Sequence, residues 1–113
     1  MRQRQAEALA ADGDHEGAAR VLGDAGDYEG AATEYGKAGL DSMSAEMLAL
    51  LVDELEKAKD AAFDALKKSP KGPKWDKAFD ALRRAVNALS EATARLDALR
   101  EKIRRNKEVV GPY

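Results

Sequence analysis

His15 is the only histidine in the chain, and it stands among acids. Asp12, Asp14, Glu16 and Gly17 fill the first, third, fifth and sixth positions of a calcium-binding loop. The pattern then fails, because Gly23 occupies the twelfth position, where such a loop needs a bidentate Glu. Thirteen residues on, the matching places hold Ala25, Asp27 and Glu29. Helix capping accounts for the acids in both stretches, so no metal site is expected. Nucleophilic chemistry would need a Ser, Thr or Cys supported by a base. Cysteine is absent, and the serines fall at helix boundaries or, for Ser90, in a solvated helix. Carboxylates are plentiful but alternate with cations at helical spacing, as in Asp97, Glu101 and Arg104. Such pairs contribute a few tenths of a kcal/mol to a helix. The residues predict a non-enzymatic chain with no cofactor and no small-molecule substrate.

Two basic clusters remain. Lys67, Lys68, Lys71, Lys74 and Lys77 surround Ser69-Pro70-Lys71-Gly72-Pro73, offset locally by Asp76 and Asp80. Lys67 and Lys68 close a helix, where cations suit its dipole, whereas Lys74 and Lys77 open the next, where they oppose it. The plain account is a soluble turn. The sharper one is contact with an anionic partner: nucleic acid, an acidic membrane surface or an acidic protein. Arg100, Lys102, Arg104, Arg105 and Lys107 form the second cluster. They suit the last turns of a helix and are expected to dock an acidic N-terminal region.

These charges are carried by long helices. From Trp75 to Lys107 an apolar residue returns every third or fourth position: Trp75, Phe79, Leu82, Val86, Leu89, Thr93, Leu96, then Leu99 and Ile103. Uninterrupted by Gly or Pro, this helix would reach roughly 50 Å. An earlier helix is expected from Ala45 to Lys68, after possible caps at Asp41, Ser42 and Ser44. Its seam is Leu48, Leu51, Leu55, Ala58, Ala62 and Ala65, widened by Met47, Val52, Phe63 and Leu66. Two prolines and a glycine stop it and fold the two arms into an antiparallel hairpin, with the turn at 69–74. Ala62, Ala65 and Leu66 should face Trp75, Phe79 and Leu82. The second arm is longer by about nine residues, roughly 13 Å. Its overhang, Leu96 to Ile103, needs a covering from the N-terminal helices or from a second molecule. Val109 to Tyr113 reads as an apolar tail.

The first forty residues repeat. Gly13-Asp14-His15-Glu16-Gly17-Ala18-Ala19 returns as Gly26-Asp27-Tyr28-Glu29-Gly30-Ala31-Ala32, and Gly23 and Ala25 return as Gly36 and Ala38. Gly13 and Gly26 should end helices in the left-handed conformation, and Asp14 and Asp27 should cap the next ones. Ala18, Ala31, Ala25 and Ala38 would let neighbours approach, with Leu22 and Tyr35 filling larger holes. Residues 1–11 supply an earlier helix with Ala6, Leu9 and Ala10 inward. The stretch Gly26 to Ala38 resembles the second helix of tetratricopeptide repeat proteins, with Ala31, Tyr35 and Ala38 at the small, large and small packing positions. That family's period is about 34 residues, against thirteen here. The resemblance covers about a third of the chain; it implies a helical hairpin and, weakly, peptide binding.

The totals agree with helices. Charged residues make up 35% of the chain, against about 25% on average. Only 5% are aromatic. Residues 1–41 hold four basic groups against nine acidic, a balance of −5, and residues 42–113 balance at +3. No run is apolar enough for a membrane span or a signal core. Together these observations predict an all-α protein: short tetratricopeptide-like helices over 1–41 and a long antiparallel hairpin over 42–113. The expected role is a cytoplasmic adaptor or assembly module that self-associates as a dimer, and the Ala-, Gly- and Arg-rich usage suggests a bacterial genome. Leu82, Val86, Leu89, Leu96, Leu99 and Ile103 are the expected assembly residues. Tyr28, Tyr35, Lys71, Lys74 and Lys77 are the expected partner contacts.

Overall fold

The thirteen-residue period sets the chain's first turns. A computed structural model describes residues 2–110, with side chains over 3–106, and the described residues form five helices and no strand. These are α1 (Arg2–Ala11), α2 (His15–Asp24), α3 (Tyr28–Lys37), α4 (Asp41–Lys68) and α5 (Pro73–Val110). The fold is all-α. Gly13 and Gly26 take positive φ of 86° and 85° after α1 and α2. The carboxylates of Asp14 and Asp27 then accept hydrogen bonds from the Gly17 and Gly30 amides, at 2.9 and 3.0 Å.

The period runs further than two copies. Gly39, thirteen residues after Gly26, also has positive φ, 77°. Leu40 then stands where Asp14 and Asp27 stood and makes no side-chain cap. It packs instead beside the buried cluster of Ala19, Ala31 and Tyr35, with Met43 and Met47. So α4 begins four residues before the expected Ala45, and Ser44 is no cap. It is buried, and its hydroxyl donates to the Ala32 carbonyl at 2.7 Å, tying α4 to α3. The opening turns of α4 act as one more copy: Leu9, Leu22, Tyr35 and Leu48 recur at the same spacing, as do the buried Ala6, Ala19 and Ala32. The small inward residues are Ala18, Ala19, Ala31 and Ala32. Ala25 and Ala38 are exposed, because they fall at the C-caps, past the buried stretch of each helix.

Each helix packs on its neighbour in sequence, and the result is thin, 61 × 40 × 16 Å. The radius of gyration is 17.7 Å, against about 13 Å for a compact chain of this length. The long axis is that of α5. Pro73 opens this helix, two residues before Trp75, at the first helical position where a missing amide costs nothing. Its register on α4 is marked by Lys102 to Asp41 at 3.4 Å and by Leu96 packed on Leu48.

The seam of α5 is not the expected one. Trp75, Leu82, Leu89, Leu96 and Ile103 turn inward, alternating with Ala78, Ala85, Ala92 and Leu99, whereas Phe79, Val86 and Thr93 are exposed. On α4 the inward set is Leu48, Val52, Leu55, Lys59, Ala62 and Leu66, with Ala58, Ala65 and Phe63 outside. Both sets keep the spacing of a two-stranded coiled coil. Alternating alanine layers let the two backbones approach, which puts the bulkier Phe and Val on the flank.

Candidate assembly interface

The structure divides the expected assembly residues. Leu96 is 5% exposed, covered by Ala32 of α3 and Leu48 of α4, with Leu99 packed beside them. Leu82 and Leu89 are half-buried in the hairpin seam. Ile103 is half-buried and lines a cleft of about 460 Å³ with Leu40, Asp41 and Met43. The overhang is therefore covered within the chain, because α4 starts early enough to run beneath it. Of the six, only Val86 presents a large exposed face.

Among the expected partner contacts, Tyr35 is corrected to a core residue. It is 4% exposed and joins Ala19 and Ala31, filling the hole that these alanines leave. Tyr28 is half-buried at the start of α3. Lys71, Lys74 and Lys77 are exposed at the hairpin tip, as are Lys67 and Lys68. None of the five makes an ion pair among the described residues, whereas cations elsewhere do.

In the second basic cluster, Lys102 pairs with Asp41 at the start of α4, tying the two arms of the hairpin rather than the short helices. The tie to the short helices comes from Arg95, outside that cluster, which lies 3.7 Å from Glu29 of α3. Arg104 and Arg105 turn instead to Glu101 on their own helix, at 3.0 and 3.2 Å. The hydrogen bond from Arg104, joined by that from Arg105, holds the Glu101 carboxyl below the usual carboxylate range. The side chain of Lys107 and the tail from Val109 to Tyr113 lie outside the described side chains.

The acids around His15 have local uses. Asp14 caps α2, and Glu16 pairs with Arg20 at 2.8 Å. The His15 Nδ1 lies 2.7 Å from Glu34 Oε2, linking α2 to α3. No cluster of three metal-ligating side chains occurs among the described residues. None of the described helices is long and apolar enough to cross a membrane.

What stays open is the distal half of the hairpin, beyond the reach of α3. Phe63 is 47% exposed, Phe79 44% and Val86 44%. The Phe79 ring stacks on Trp75 with centroids 5.3 Å apart and planes 12° from parallel. Lys67 Nζ lies 4.4 Å from the centroid of Phe63, a cation resting on an aromatic face. Leu51, Ala88 and Arg95 line a cleft on the flank that faces α3. Heptad spacing puts Phe63, Phe79 and Val86 together on the opposite flank. Sequence reasoning placed both phenylalanines in or beside the seam because it ranked residues by bulk. The strict seven-residue return of Ala78, Ala85 and Ala92 was the signal that would have moved them outward.

Compared with family models, curated proteins and solved structures, the chain matches none of them. The likeness of the short helices to tetratricopeptide repeats rests on their residues alone.

Proposed function

We propose that this chain is an assembly module: tetratricopeptide-like short helices brace the root of a hairpin whose distal flank joins it to copies of itself. The observation that carries the reading is the apolar flank of Phe63, Phe79 and Val86, exposed on a part of the hairpin that no other helix covers. Scattered exposed apolar residues are ordinary, but three grouped on one flank of a two-helix arm mark an interaction surface. A cysteine-free composition fits a cytoplasmic setting for such a module, and the Ala-, Gly- and Arg-rich usage fits a bacterial one.

Sedimentation equilibrium of the whole chain over a wide concentration range tests it. The expected result is a reversible dimer that Phe79→Glu or Val86→Glu dissociates without loss of helical circular dichroism, since neither side chain is in the core. A monomer at every concentration ends the reading.

The unpaired tip lysines favour a second reading, binding of an anionic partner. Its mark would be affinity for nucleic acid or acidic vesicles that falls steeply with salt and is lost on changing Lys71, Lys74 and Lys77 to Glu. Salt-insensitive or absent binding would dismiss it.

A further inference from the structure

The heights of the charges along the hairpin say how two copies would meet. This inference rests on the assembly reading above and adds the arrangement. Lys102 pairs with Asp41 and Leu96 packs on Leu48, a register that puts Leu55 level with Ala88, and both line the same cleft across the two arms. Each residue further along α4 is matched by one residue back along α5, both at the same helical rise. Five steps toward the tip from Leu55 and Ala88, Asp60 is level with Arg83. Eight steps bring Phe63 level with Asp80, next to Phe79, and twelve bring Lys67 level with Asp76. Asp60 and Lys67 lie three and four residues from Phe63, and Asp76 and Arg83 lie three and four from Phe79, so each set shares its phenylalanine's face.

On one hairpin, then, three level pairs lie along the open flank: acid and base, ring and ring, base and acid. We infer that this flank docks a second copy of the chain with the twofold axis running along the hairpin, tips at the same end. That operation lays α4 of one copy on α5 of the other at equal height. Phe63 meets the partner's Phe79, Asp60 meets the partner's Arg83, and Lys67 meets the partner's Asp76. The contact is isologous, so every pair occurs twice. The product is a four-helix bundle whose neighbouring helices run antiparallel.

The groups are available for it. Asp60, Asp76 and Lys67 make no ion pair among the described residues, and Arg83 holds only the exposed Asp80, at 3.2 Å. A twofold axis running across the hairpin at the height of the rings would instead set Asp60 against the partner's Lys67 and Arg83 against the partner's Asp76. In that arrangement reversals at Asp60 and Arg83 each meet a like charge, so combining the two restores nothing.

A charge swap read by sedimentation equilibrium tests the arrangement. Asp60→Arg and Arg83→Asp each turn two attractive contacts into repulsive ones and should weaken the dimer about tenfold. Combining them in one chain should restore it. Because the chain has no cysteine, single-cysteine variants give an independent readout. A mixture of Asp60→Cys and Arg83→Cys chains should oxidise mainly to the mixed disulfide dimer. Self-linking of Asp60→Cys in preference, or a double reversal weaker than either single one, would overturn this arrangement while leaving self-association intact. A chain that stays monomeric removes both.

Discussion

The root of the hairpin and its tip are built from the same two helices, yet only the root is buried. Among the described residues of α4 and α5, the buried ones are Ser44, Leu48, Ala92 and Leu96, all within reach of α3. Toward the tip the same inward positions, Leu55, Ala62, Leu66, Leu82 and Trp75, are half-buried at best. Two helices alone cover only one stripe of each other, and a third is needed to close the side. The comparison teaches that the seam pattern is uniform in sequence while its energetic worth is not.

That difference is open to direct attack. Leu48→Ala at the root should cost about 2–5 kcal/mol, the range for a buried leucine. Leu82→Ala near the tip should cost clearly less, because solvent already reaches the site. Chemical denaturation of the two variants measures both, and equal losses would break the contrast.

A smaller effect separates the capped helices of the root from α4. Asp27→Ala removes the bond to the Gly30 amide and should cost about 1 kcal/mol. A Cβ at Gly30 would press on that same carboxylate, with Asp27 Cγ 3.0 Å away. Gly30→Ala alone should therefore gain little of the roughly 1 kcal/mol that Ala offers over Gly inside a helix. In the Asp27→Ala background it should gain most of it. Additive effects in thermal denaturation would refute the clash.

The smallest effect is expected from acid. The Glu101 carboxyl is held below its ordinary value by Arg104 and Arg105 in the folded helix. Its contribution is complete above the ordinary carboxylate range and is lost as pH falls through the lowered value. Glu101→Gln should thus be slightly less stable than the parent near neutrality and equal to it in strong acid. A difference that persists in acid would refute the pairing. The group is exposed, so solvent screening keeps the effect small.

Much of the architecture was legible before any coordinates. Gly13, Gly26, Asp14 and Asp27 marked their turns because left-handed φ and side-chain capping are local properties. The prolines at 70 and 73 likewise marked the hairpin's bend. Gly39 was equally legible but hidden, because Leu40 breaks the Gly-Asp pair that makes the repeat visible. Of the candidate interface, the tip lysines and Val86 were readable, while Phe63 and Phe79 were not.

The amino-acid order by itself determined that the chain is helical, where its helices break, and that its two arms fold back on each other. All of these follow from backbone preferences and from the spacing of apolar residues along one helix. Only the tertiary structure decided which stripe each arm turns inward, that Tyr35 and Leu96 are spent within the molecule, and that Phe63 and Phe79 are left on its flank. Those outcomes depend on how closely two backbones can approach, and that distance is set jointly by alanines on one helix and bulky side chains on another.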